Sequence, residues 1–146
     1  MNEMIARVAA AQATLDQWKG KPFKLGRADC VRVAASHLRR MGHRVKLPPA
    51  GSYATARSAL KALKNRGFST LVEAMDGAGF DRIAPAAALP GDIVALPDDM
   101  GIGCLTVAMS NGRVAGFHQD TIGLEVLQPS QYVAAWRVSL GVKPGR

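Results

Sequence analysis

The sequence is poor in aromatics, in cysteine and in acidic residues, and each shortage narrows what the protein can be. Its 146 residues include four Phe, two Trp and two Tyr. None of them interleaves with the basic clusters in the way that single-strand nucleic-acid binders need for base stacking. Nucleic acid is therefore not an expected partner, although charge alone keeps a basic nucleic-acid-binding module in view as a third reading. The two cysteines, Cys30 and Cys104, are too few for a disulfide framework, and reduced thiols are expected. The three histidines are scattered, with no short Cys-x-x-Cys or His-x-x-x-His spacing, so no metal site and no cofactor are expected. No apolar run reaches the length of a membrane span. The opening MNEMIARVAAAQATLDQW does not read as a signal peptide, because Glu3, Arg7 and Asp16 interrupt any apolar core.

About half of the residues, 48%, are apolar, enough for one core, and the length suits a single domain over residues 1–140. The last residues, GVKPGR from 141 to 146, are expected to form a loose tail. Lys and Arg number 19 against 11 Asp and Glu, giving a net charge of +8. Much of the excess lies in Arg32, Arg39, Arg40, Arg44 and Lys46, and then in Arg57, Lys61, Lys64 and Arg66. Such clusters favour anionic partners, with a solvated basic face as the plainer explanation.

Helical signals fill the first half. Ile5, Val8, Ala9, Gln12, Leu15 and Trp18 recur at three or four residues and predict a helix over 2–18, ended by Gly20 and Pro22. Val31, Ala34, Ala35, Leu38 and Met41 predict a second over 30–41, with Gly42 as its stop. Thr55 is placed to cap a third, with Ala56, Ala59, Leu60 and Leu63 inward and Gly67 at its end. Thr70 and Glu73 have capping-box spacing for a short fourth. The second half then changes to strand patterns. DRIAPAAALPGD reads as a turn-rich approach, followed by strands in DIVALP, CLTVAM, VAGFHQ, GLEVLQ and YVAAWRV. Asn111-Gly112 between CLTVAM and VAGFHQ suits a type I′ hairpin turn. The expected fold is α+β, with N-terminal helices packed on a C-terminal antiparallel sheet.

The chemistry centres on GRADCVRVAASHLRRMG. Cys30 falls where the second helix begins, and the free amides of a helix start stabilise a thiolate. Cys30 is thus a candidate nucleophile, with a small buried residue as the plainer alternative. Asp29 is either a catalytic neighbour or, more simply, the cap of that helix. A cysteine nucleophile needs a base within reach. His37 is seven residues along the same helix, about 10 Å away, and cannot serve. His43 lies in the loop beyond. His118 is the one histidine placed to approach Cys30, and is otherwise a polar strand residue.

Read together, WKGKPFKLGRADCVRVAASHLRRMG resembles the nucleophile segment of the NlpC-like, papain-like cysteine peptidases of the cell wall. More specifically, the chain is similar to small NlpC-like proteins encoded in phage tail gene clusters. The likeness runs through Pro22-Phe23, Gly26, Asp29-Cys30, Tyr53, Thr55, Ala59, Leu63, Gly91-Asp92, Val94 and Ala135-Trp136-Arg137-Val138, nearly the whole chain. Leu25 stands where that group has Trp. The resemblance implies a papain-like, NlpC-type domain. It also implies a catalytic histidine opening the strand after Gly-Asp-x-Val, and that position is held by Cys104. The third catalytic position falls at Gly116, two residues before His118 and about 7 Å along a strand from it. Cys104 is then a metal or disulfide partner of Cys30, or simply a small strand residue. Trp18 and Trp136 are expected in or near the core, and Asp92 to order a turn.

What the resemblance implies for function is, first, a structural component of a phage tail tip or baseplate with a catalytically degenerate fold. Such a protein would be made in the host cytoplasm and carried in the virion, with other tail proteins as partners. The apolar first helix and the basic third helix are its candidate contact faces. The second reading is an active cysteine endopeptidase that cuts peptidoglycan during DNA delivery, using Cys30 with His118 and assisted at best by Asp29 or Gln119.

Overall fold

Asn2 opens the first helix by accepting a hydrogen bond from the amide of Met4 at 2.7 Å. In this computed structural model, which describes residues 2–118 and 122–141, four helices precede a six-stranded sheet. The helices are α1 (Glu3–Trp18), α2 (Cys30–Arg40), α3 (Ala56–Asn65) and α4 (Leu71–Gly77). The strands are β1 (Asp81–Ile83), β2 (Ile93–Leu96), β3 (Cys104–Ala108), β4 (Val114–Gly116), β5 (Glu125–Leu127) and β6 (Ala134–Arg137). The order across the sheet is β1-β6-β2-β3-β4-β5, and every pairing is antiparallel. The α+β layout expected from the sequence is therefore present. No helix among the described residues is long and apolar enough to cross a membrane.

Three of the four helix starts are held by the residue the sequence marks. Asp29, Thr55 and Thr70 accept from the amides of Arg32, Ser58 and Glu73. The Glu73 carboxylate closes its turn on the Ser69 amide at 2.8 Å rather than on that of Thr70. Asn111 and Gly112 both have positive φ, 62° and 73°, as the type I′ turn between β3 and β4 requires. One strand was not foreseen. Asp81–Ile83, expected as part of a turn-rich approach, pairs with β6 from Asp81↔Arg137 to Ile83↔Ala135. Two of its three residues, Asp81 and Arg82, are charged and exposed and carry no strand pattern, so only the partner strand defines it.

The sheet buries both faces around β2. Ile93, Ala95, Leu105, Val107, Ala115 and Trp136 belong to the large core with the helices, while Val94, Ala108, Val114 and Ala135 form a smaller cluster. α2 supplies Val33, Ala34, Leu38 and Met41 to the large core.

The inner face of α1 differs from the apolar stripe. Ile5 and Val8 are 61% and 42% exposed, whereas Arg7, Ala11, Thr14 and Leu15 are buried. The rotation follows from polar pairing. The Arg7 guanidinium reaches Asp92 and the Val138 carbonyl, and this fixes which side of the helix turns inward. α3 also departs from expectation. None of its residues is fully buried, and its inner residues are Ala59, Ala62 and Leu63, with Ala56 and Leu60 outward.

The Gly42 stop of α2 carries φ 99°, and a Cβ there would lie 3.1 Å from Gly141. Gly141, expected to begin the loose tail, donates its amide to the Met41 carbonyl at 2.6 Å. Residues 142–146 lie outside the described ones.

Candidate functional site

Cys30 is the first residue of α2, and its position is set by Asp29. The Asp29 carboxylate is 2% exposed and is filled by three donors. It accepts from the Gly26 amide at 2.8 Å, the Arg32 amide at 2.8 Å and the Tyr53 hydroxyl at 2.9 Å. Asp29 is thus a cap and an anchor for the GRAD turn. Burial pushes the Tyr53 hydroxyl up to about 12, and the neighbouring Asp29 charge adds to this. Gly26 has φ 86° and passes so close to Tyr53 that a Cβ would sit 1.9 Å from the Tyr53 carbonyl oxygen. The motif Gly26…Asp29-Cys30 and Tyr53 is therefore one packed unit that delivers Cys30 to the helix start.

From there the Cys30 thiol faces β3. Cys104, the first residue of β3, and the Leu105 amide are its neighbours there. Both cysteines are free and partly exposed. The Cys30 thiol is held well above its ordinary value, first by the bond to Cys104 and then by burial. A thiol kept protonated in this way is a weak nucleophile at neutral pH, whatever the helix start contributes. The sulfur that the sequence placed at the histidine position is the immediate partner of the candidate nucleophile.

Both cysteines line a cavity of about 750 Å³. Its walls come from α2, α3, α4, the segment 43–48 and the start of β3, with Phe23, Leu25, Leu63, Phe68, Ile102 and Phe117 among its apolar residues. Arg44, Lys46 and Arg66 also line it, as do Asp81 and Asp98, so the apolar space carries charge of both signs at its wall.

The other sequence candidates lie elsewhere. His118 follows β4 by two residues, is exposed, and is not among the residues lining the cavity. Gln119 lies outside the described residues. At Gly116 a Cβ would come within 2.8 Å of Thr106 Cγ2, so a larger side chain has no room there. His43 lines the cavity, but its Nε2 donates to the Ser139 carbonyl at 2.6 Å. Among the described residues no three His, Cys, Asp or Glu side chains lie together as a metal site.

His37 is fully buried on the sheet side of α2. Its Nε2 donates to the Gly91 carbonyl at 2.8 Å, so its Nδ1 accepts from the Thr14 hydroxyl at 2.8 Å. Thr14 in turn accepts from Arg40 at 2.7 Å. Burial lowers His37 to about 4, so it is neutral and structural at physiological pH. Asp92 is a hub of the same kind. It takes Arg7, the Arg137 guanidinium at 2.9 Å, and the amides of Leu89 and Val138, each at 2.8 Å. The sequence marked Asp92 as a turn residue, but not Arg7 and Arg137 as its partners. An arginine off the apolar stripe of a helix was the one available signal.

The chain belongs to a family described as a domain of unknown function (DUF6950), whose model matches residues 6–138. No curated protein matches it.

Proposed function

We propose that this member of the DUF6950 family is a bacteriophage tail-tip or baseplate component, built on a papain-like, NlpC-type fold that no longer catalyses. The observation that carries the non-catalytic part is the Cys30–Cys104 contact. A papain-like enzyme needs an imidazole to take the proton of its thiol and hold an imidazolium–thiolate pair. A second thiol does neither, and here the Cys30 proton is held more tightly. The Asp29 carboxylate is already committed to three donors, which leaves it a positioning role.

The phage assignment is supported by the ordered resemblance over nearly the whole chain to small proteins of tail gene clusters. The faces such a role would use are exposed. α1 presents Met4, Ile5 and Val8 outward, and α3 carries Arg57, Lys61 and Lys64. A tail subunit would bury the first against an apolar partner surface and set the second against acidic side chains.

The test is twofold. The wild type and His118→Ala are titrated from about pH 4 to 9 with a thiol-reactive probe, alongside digestion of purified peptidoglycan. The expected result is a slow thiol with a raised midpoint that is indifferent to His118, and no released muropeptides. A midpoint well below the ordinary thiol value that returns on loss of His118, with thiol-dependent lysis, would establish the endopeptidase instead. Mass spectrometry of purified particles checks the location, and absence from them removes the tail assignment.

A further inference from the structure

We propose that Cys30 and Cys104 form a dithiol site that low-molecular-weight disulfides oxidise to an internal disulfide joining α2 to β3. The two residues are the only cysteines of the chain, and they come from elements far apart in sequence. The fold nevertheless sets one thiol on the other at the wall of a single cavity. Both residues are partly exposed and both line the cavity, which is the route by which a reagent reaches them.

Each cysteine is held from behind. Cys30 is fixed by the three bonds to Asp29 at the start of α2. The turn before Cys104 is fixed by the Gly103 amide, which donates to the Asp98 carboxylate at 2.8 Å. That the two thiols are neighbours on the wall of one cavity separates this site from two cysteines that merely share a surface. The class of reagent follows from the lining. Arg44, Lys46 and Arg66 stand with Asp81 and Asp98 around a cavity of about 750 Å³, which suits a small disulfide bearing both carboxylates and ammonium groups, such as oxidised glutathione.

The exchange balances in two steps. One cysteine gives up its proton and its sulfur attacks the reagent; the reagent's S–S bond breaks, and the first reagent thiolate leaves and takes a proton. The second cysteine then attacks the protein sulfur of the mixed disulfide, and the second reagent thiolate leaves with the remaining proton. The protein loses two hydrogens and two electrons overall become those of two reagent thiols. The first attack falls to Cys104, whose thiol its neighbour Cys30 holds below the ordinary value. This inference shares with the proposed function only the closeness of Cys30 and Cys104; its failure would leave the tail location, which particle mass spectrometry tests, untouched.

The full-length reduced protein is incubated in glutathione buffers of rising oxidised-to-reduced ratio, quenched with acid, alkylated and weighed intact. The expected product is a monomer that has lost two hydrogens, carries no glutathione and takes up no alkylating agent. Its thermal midpoint rises, and reductant reverses the change. Cys30→Ser and Cys104→Ser should each retain one glutathione adduct. Two independent adducts on the wild type, a disulfide-linked dimer, or two unmodified thiols at the most oxidising ratio would each overturn the proposal. The wild-type masses decide the matter even if a variant fails to fold.

Discussion

Arg7 on α1 and Asp92 at the start of β2 form an ion pair whose members are 1% and 0% exposed. The pair joins the first helix to the sheet across 85 residues of chain. It determines which face of α1 turns inward, against the direction of the apolar stripe.

Removal of one member should therefore cost far more than a surface salt bridge. Asp92→Asn leaves the Arg7 charge buried without its counter-charge. A loss of roughly 3–5 kcal/mol is expected in urea unfolding. The double change Arg7→Met with Asp92→Asn should recover part of that loss, because no fully buried charge is left without a partner and Arg137, 36% exposed, reaches water. Asp92 would be an ordinary turn residue if the single change cost less than about 1 kcal/mol.

Acid should destabilise the fold through His37. Its folded value, about 4, lies below the ordinary 6.5 because the ring is buried. Between those values the unfolded chain binds a proton that the folded chain does not, so stability falls as the pH is lowered through this window. The contribution is present in full above about pH 6.5 and amounts to roughly 3 kcal/mol. Denaturation midpoints measured from pH 7 to 4 should show the slope, and His37→Gln should flatten it.

Asp29 gives a way to distinguish anchor from catalyst. Asp29→Ala removes the acceptor for the amides of Gly26 and Arg32 and for the Tyr53 hydroxyl. A loss of roughly 2–4 kcal/mol follows from the missing cap and the unsatisfied buried donors. Chemical denaturation checks this; an unchanged midpoint would show that the carboxylate is not holding the turn.

Much of the layout was legible locally. Thr55, Thr70 and Asp29 announce helix starts because a cap acts within three residues. Asn111-Gly112 announces its hairpin because the turn type depends on those two backbones alone. Cys30 could be placed at a helix start for the same reason, and its closeness to Cys104 could be suspected only through a resemblance. β1 was not legible, since the exposed and charged Asp81 and Arg82 show no strand pattern and its identity lies in the pairing with β6.

By itself, then, the sequence determined the order of helices and strands, the caps and turns that bound them, and the placing of Cys30 behind an aspartate at a helix start. These depend on contacts between residues a few positions apart. Only the tertiary structure decided that Arg7 rather than Ile5 faces inward, that His37 is sealed and neutral, and that the partner of Cys30 is another thiol. Those outcomes depend on which distant groups meet once water is excluded, where a buried charge must find its counter-charge and a buried donor its acceptor.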